Sequence, residues 1–184
     1  MTLEELVKAT NGQVLSSNCQ SISGVGTDTR KDLTGQCFVA LEGPRFDAHR
    51  FLDQAVEQGA RVLLIHDSER VDQRLFERTY VVQVPDTLKA LQNLATFWRK
   101  KWGFQVLGVT GSNGKTSTKE FARTLMGSSL KVHASQGSFN NHWGVPLSLL
   151  SADPDTEVMI SEMGMNHFGE IQRLCDMAQP DLVV

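Results

Sequence analysis

The run Val106-Leu107-Gly108-Val109-Thr110-Gly111-Ser112-Asn113-Gly114-Lys115-Thr116-Ser117 is where this sequence most plainly offers chemistry. An apolar strand pattern runs into a glycine-rich turn and then into a helical pattern, which gathers backbone N–H groups and the positive helix end around one point. Such a point attracts a polyphosphate. Lys115 is placed to reach the terminal phosphates, and the Thr116 hydroxyl to ligate a Mg²⁺ ion bridging them. Gly111 and Gly114 permit backbone angles and a close approach that a side chain forbids. Ser112, Asn113 and Ser117 complete the expected cradle. The strict phosphate-loop pattern wants glycine where this chain has Val109, so the match is to the shorter form T-G-x-N-G-K-T.

A bridging Mg²⁺ calls for a second protein oxygen, commonly a carboxylate at the carboxyl end of a neighbouring parallel strand. Glu162 follows the strand pattern Val158-Met159-Ile160-Ser161 and is the candidate, against the plainer reading of a solvated strand-end glutamate. His167 lies further along, and a lone loop histidine is more often structural than catalytic. Between these motifs runs Gly137 through Pro146, with Asn140-Asn141 ahead of a helix start. Paired asparagines serve as caps and turn formers as readily as ligands, and spacing alone leaves their role open. The strand before them ends on the same side of the sheet as the phosphate loop, which puts a substrate within their reach.

The elements that must hold these residues follow from periodicity. Thr2 to Ala9 reads as a short helix, and Gln13–Leu15, Gly24–Thr27, Cys37–Leu41, Arg61–Ile65 and Tyr80–Val84 as strands, with a helix over His49–Gln58. These make a small mixed α/β domain over residues 1–84. Pro85-Asp86 opens a helix over Thr87–Trp102, stopped by Gly103, whose Trp98 and Trp102 read as packing residues. The second half alternates strand and helix: strand Gln105–Thr110, helix Thr116–Met126, strand Lys131–Ala134, a helix from about Val145-Pro146, strand Glu157–Ser161, helix Gly169–Met177 and strand Asp181–Val184. Strands joined through helices call for right-handed crossovers and a parallel sheet. The fold class is therefore α/β, with a phosphate-loop domain over 85–184 whose sheet looks unfinished at Val184.

Composition narrows the function classes. The 18 Lys+Arg against 21 Asp+Glu give a formal charge of −3, which argues against a nucleic-acid partner. The 3 cysteines, Cys19, Cys37 and Cys175, have neither disulfide-framework nor zinc spacing and read as reduced thiols. The start lacks a signal-peptide pattern and no apolar run reaches membrane-span length, so a cytoplasmic protein is expected.

Taken together, Thr110 to Glu120, Asn140-Asn141 with Gly144-Val145-Pro146-Leu147, and Ser161-Glu162-Met163-Gly164-Met165-Asn166-His167 with Gly169-Glu170-Ile171 resemble the Mur ligase family of peptidoglycan synthesis. The resemblance is to its D-alanyl-D-alanine-adding branch. Gly26-Thr27-Asp28-Thr29-Arg30, Phe38-Val39-Ala40-Leu41 and Gly43 through His49 are similar to the segments with which that family's first domain holds a UDP-linked substrate. The resemblance implies that Thr27, Thr29, Arg30, Arg45, Phe46, Asp47 and His49 face that substrate, with Arg30 or Arg45 toward the diphosphate. Where the family commonly has Asp-Gly-His, this chain has Asp47-Ala48-His49.

The resemblance further implies ATP-dependent amide formation through an acyl phosphate, with UDP-N-acetylmuramoyl-tripeptide and D-alanyl-D-alanine as substrates and ATP and Mg²⁺ as cofactors. Lys115 would act on the β- and γ-phosphates, Thr116 and Glu162 on Mg²⁺, and Asn140, Asn141 and His167 in the same cleft near the transferred phosphate. Family members carry further ligands and a C-terminal domain that match no residue here, so this span is expected to bind without completing the ligation; a monomer is expected. The other readings are a phosphate-loop metabolite kinase or ATPase and a non-catalytic module that binds the UDP-muramoyl peptide.

Overall fold

Thr2 caps the first helix, α1 (Leu3–Thr10). Its hydroxyl accepts from the Glu5 N–H while the Glu5 carboxylate accepts from the Thr2 N–H, so two donors at the helix start are satisfied reciprocally. Asn11 ends the helix in the left-handed conformation, at φ 52°. The structure, a computed structural model, describes residues 1–16, 21–137 and 139–184, so Cys19 and Ser138 lie outside the described residues. The chain divides into two compact units, Met1–Leu91 and Gln92–Val184.

In the first unit, β1 (Gln13–Val14), β2 (Val25–Gly26) and β3 (Cys37–Val39) precede a small hairpin of β4 (Glu42–Gly43) and β5 (Phe46–Asp47). A 3-10 turn (Ala48–Phe51), α2 (Leu52–Glu57), β6 (Val62–Ile65), α3 (Gln73–Arg78) and β7 (Tyr80–Gln83) follow. The sheet order is β1-β7-β6-β3-β2, parallel except where β1 runs against β7. β6 is apolar and buried throughout, as a parallel strand covered on both faces must be. Phe38, Leu52, Leu63, Ile65, Leu75 and Val81 form the core around it.

Three elements of this unit escape the sequence reading. The hairpin arms are two residues each, too short for an alternating pattern to register. The 3-10 turn Ser68–Arg70 and α3 are short and largely polar, started by the side-chain caps of Asp67 and Asp72, and of α3 Leu75 and Phe76 meet the core. The helix expected over His49–Gln58 is split in two, with Asp47 capping the 3-10 turn and α2 beginning only at Leu52.

The long helix α4 (Thr87–Trp102) carries the division between the units, which falls after Leu91 rather than ahead of the helix. Its first turn belongs to the first unit because the buried Thr87 hydroxyl donates to the Ala40 carbonyl. Beyond Leu91, Trp98 Nε1 donates to the Ala152 carbonyl at 3.2 Å and its ring meets that of Trp102 edge to face, so the tryptophan pair packs.

The second unit continues with β8 (Gln105–Val109), α5 (Lys115–Met126), β9 (Val132–Ala134), α6 (Gly144–Leu150), β10 (Val158–Glu162), α7 (Glu170–Ala178) and β11 (Leu182–Val183). All four strands are parallel, in the order β11-β8-β10-β9. Val109, Val158 and Ile160 centre the core beneath α5, with Ala122 and Met126 packed on them. β10 runs one residue past the expected Ser161, so Glu162 is itself part of the ladder and pairs with Val109. α6 starts at Gly144, where a Cβ would stand 2.6 Å from Phe139 Cα, so only glycine lets the preceding loop lie against the helix start. Among the described residues no helix is long and apolar enough to cross a membrane. Cys37 is buried in β3 and Cys175 half-buried in α7.

Gly59 closes α2 at φ +90°, and a Cβ there would approach the Thr34 backbone to 3.0 Å. Gly59→Ala combines a left-handed strain with a clash against main chain, and is expected to lower the unfolding free energy by about 1–3 kcal/mol. Urea denaturation followed by circular dichroism checks it, and an unchanged midpoint would contradict the packing described.

Candidate functional site

The glycine turn after β8 is built as its residue types require. Gly111 sits at φ +139° and Gly114 at φ +78°, both in territory where a side chain is strained. Gly114 is the N-cap of α5 and brings no side-chain cap, so the first backbone N–H groups of the helix are left for an anion. Ser112, Asn113 and Ser117 are exposed around this mouth. Lys115 folds back across the turn, its Nζ donating to the Gly111 carbonyl at 2.7 Å.

Register brings the second motif to the first. Because Val109 pairs with Glu162, the turn leaves the sheet beside the end of β10. Thr116 Oγ1 donates to Glu162 Oε2 at 2.9 Å, and Asn140 Nδ2 to Glu162 Oε1 at 2.9 Å. The Glu162 N–H donates to Ser135 Oγ at 3.2 Å, and the residue is 1% exposed. It is not a solvated strand-end glutamate. Thr116 and Glu162 thus present two oxygens to one point. Oxygen donors suit Mg²⁺, which keeps few protein ligands and completes its shell with water and phosphate, so the residues present fit the ion. Among the described residues no group of three or more His, Cys, Asp or Glu gathers to hold a metal, so a cation here takes its remaining ligands from elsewhere.

Asn140 and Asn141 part company. The Asn140 backbone carbonyl accepts from Gly164 N–H at 2.8 Å, and a Cβ on Gly164 would meet the Asn140 side chain at 3.0 Å, so that glycine leaves room for the amide to reach Glu162. Asn141 Oδ1 instead accepts from the N–H groups of Trp143 and Gly144 at the start of α6, a capping duty. His167 is exposed on the loop after β10, where its backbone N–H donates to the Glu170 carboxylate, and no hydrogen bond joins its ring to Glu162 or Lys115 among the described residues. That donation and one from Asn166 hold the Glu170 carboxyl below the ordinary carboxylate range. Sequence reasoning missed Lys119 and Ser135. Lys119 is wholly buried beside Glu162, and its spacing of four residues from Lys115 was the available signal, since that spacing shares a helix face.

In the first unit the expected substrate residues fall into two sets. Arg45 and Phe46 are exposed on the β4–β5 hairpin, and the Phe46 ring stacks on Phe51 at 5.7 Å. Thr27 is half-buried beyond β2, and Arg30 is exposed but doubly bonded to Asp28, whose carboxyl that guanidinium pulls down to about 2. Thr29 is buried, with its hydroxyl given to Gln54 Oε1. Asp47 and His49 work inward. Asp47 accepts from the His49 N–H, from His49 Nδ1 and from Arg70 Nη1, while Arg70 and His66 also reach Glu42 on the opposite hairpin arm. This cluster clips the hairpin to the body of the unit.

Residues 21–99 match the model described as the Mur ligase family, catalytic domain, and residues 109–184 match that of the Mur ligase middle domain. The chain belongs to the Mur ligase family. The UDP-N-acetylmuramoyl-tripeptide--D-alanyl-D-alanine ligase of Bacillus subtilis (strain 168) is 45% identical over 163 residues, covering 89% of this chain and 35% of the relative. That of Escherichia coli (strain K12) is 37% identical over 181 residues, covering 98% and 38%. A crystal structure of MurF from Acinetobacter baumannii superposes with a TM-score of 0.89 at 32% identity, over 99% of this chain and 39% of that one. The MurF ligase of Thermotoga maritima in complex with ADP gives 0.73 at 32% identity, over 86% and 36%. This chain therefore spans little more than a third of the length of these relatives.

In this Mur ligase chain, Ala48 stands where glycine is expected of the family; it is 1% exposed and joins the core of the first unit. Its neighbour His49 is fixed as one neutral tautomer. Nδ1–H donates to Asp47 Oδ1, and Nε2 accepts from the His66 N–H at 3.3 Å, so a proton on Nε2 would set two donors against each other. Burial, opposed by the Asp47 hydrogen bond, pushes His49 below its ordinary 6.5. The unfolded Mur ligase chain thus takes up a proton near pH 6.5 that the folded one refuses, and stability falls as the pH drops below that value. Burial also pushes down His133 in the second unit, so the contribution is isolated by substitution. The unfolding midpoint is expected to fall between about pH 7.5 and about pH 5, with a shallower fall in His49→Gln; identical slopes in thermal melts would remove His49 as the cause.

Proposed function

We propose that this chain is the UDP-precursor-binding and nucleotide-binding portion of an ATP-dependent amide ligase that adds D-alanyl-D-alanine to UDP-N-acetylmuramoyl-tripeptide through an acyl phosphate. The observation that carries the reading is the Thr116–Glu162 contact, a phosphate-loop hydroxyl meeting a buried carboxylate from the adjacent parallel strand. Curated relatives bearing that ligase name, and a structural neighbour in complex with ADP, support the same conclusion.

On this reading each side chain has a defined task. The N–H groups from Gly111 to Thr116 hold the phosphates, and Lys115, released from the Gly111 carbonyl, neutralises charge at the β- and γ-positions. Thr116 and Glu162 would hold Mg²⁺, which when bound shields the transferring phosphoryl group from the attacking carboxylate's charge. Asn140 aims the Glu162 carboxylate, and Asn141 anchors the loop that carries Asn140. His167, on the exposed loop beyond, is assigned to the substrate side of the same cleft. In the first unit Thr27, Arg30, Arg45 and Phe46 are assigned to the UDP end, with Thr29, Asp47 and His49 shaping the surface that presents them. A step that consumes ATP on a UDP-linked precursor belongs in the cytoplasm.

The two ligands are expected to bind separately, UDP-N-acetylmuramoyl-tripeptide to the first unit and ADP with Mg²⁺ to the second. Lys115→Ala should weaken nucleotide binding about 10- to 100-fold, which is about 1.4–2.8 kcal/mol, and leave the UDP ligand's affinity unchanged. Isothermal titration of each ligand checks this. Loss of both affinities together, or nucleotide binding untouched by the substitution, would defeat the assignment.

A further inference from the structure

Lys119 has no part in the tasks assigned to Lys115, Thr116 and Glu162, yet it is 0% exposed. Its Nζ donates to the Ser135 and Gly137 carbonyls, each at 2.8 Å, and stands 3.8 Å from Glu162 Oε2 and 3.5 Å from Glu120 Oε1. An ammonium has three donors. Two are committed to the loop after β9, and the third is left facing carboxylates.

Lysine is almost never fully buried unless paired, because removing an ammonium from water is costly. An apolar side chain of similar length would pack α5 at least as well, so packing does not account for a cation here. What the lysine adds is charge and direction. Glu162 takes neutral hydrogen bonds from Thr116 and Asn140, and Lys119 is the buried positive charge set beside it. The same residue also organises the surroundings of Glu162. Ser135, whose carbonyl accepts from Lys119, also accepts the Glu162 N–H on its hydroxyl oxygen, and the tethered loop leads on to Asn140.

We propose that Lys119 is a positioning residue for the divalent cation: it offsets the burial of Glu162 and ties α5 to the loop that aims the carboxylate, so that Glu162 and Thr116 meet the metal already arranged. The inference rests on the reading of Thr116 and Glu162 as metal ligands. Outer residues that orient a metal ligand typically change metal affinity 10- to 100-fold when removed.

ADP binding is measured across a Mg²⁺ titration and again in EDTA. Lys119→Gln keeps N–H donors for the two carbonyls but carries no charge. It is expected to need about 10- to 100-fold more Mg²⁺ for half-maximal binding, with metal-free ADP affinity unchanged. An unaltered Mg²⁺ requirement, or an equal loss with and without Mg²⁺, overturns the proposal. A second measurement needs no substitution: the ¹⁵Nζ resonance of Lys119 should shift on adding ADP with Mg²⁺ and stay in place with ADP in EDTA, and a resonance that ignores Mg²⁺ overturns the proposal equally. Absence of any Mg²⁺-dependent ADP binding by the unsubstituted chain defeats the metal-site reading itself, a result distinct from either of these.

Discussion

A carboxylate held out of water at the end of a strand is the feature around which the second unit is organised. Glu162 is 1% exposed, and a buried anion is tolerated only when its oxygens are hydrogen-bonded and its charge is answered. Thr116 and Lys119 come from α5, Asn140 from the loop before α6, and Ser135 from the end of β9. Each of those segments must be in place for the carboxylate to be satisfied. The site is therefore a consequence of the assembled sheet, and its geometry is preorganised before any ligand arrives.

The parallel arrangement explains why these groups meet. In a parallel sheet every strand finishes at the same edge, so the turn after β8, the loop after β9 and the end of β10 emerge side by side. Two glycines then make the close approaches possible. Gly144 lets the main chain at Phe139 lie against the start of α6, and Gly164 leaves space for the Asn140 amide. A methyl group at Gly144 would push the loop main chain off the start of α6, and one at Gly164 would press on the Asn140 amide that bonds Glu162.

Charge is handled differently in the first unit. Its cluster of Glu42, Asp47, His66, Asp67 and Arg70 is partly exposed, so solvent and salt screen it and each pair contributes little alone. Its effect is geometric: it joins both arms of the β4–β5 hairpin to the body of the unit, and the hairpin carries Arg45 and Phe46 outward. Buried charge in one unit fixes a point, whereas exposed charge in the other fixes a surface.

The order of strand, glycine turn, lysine and helix across residues 105–126 was determined by the sequence alone, because backbone freedom at glycine and the onset of helical periodicity are local properties. The α/β alternation of the second half was legible for the same reason. Asn140 and Asn141 were not separable, since adjacent residues of one type differ only in which way the folded loop turns them. Lys119 reads as an ordinary helix lysine until β9 and β10 cover it. Strand register, the burial of a charge and the partner of each amide depend on segments distant along the chain. Only the tertiary structure decided them, because residue type specifies a side chain's capacity for contact and carries no record of which neighbour the assembled sheet will bring to it.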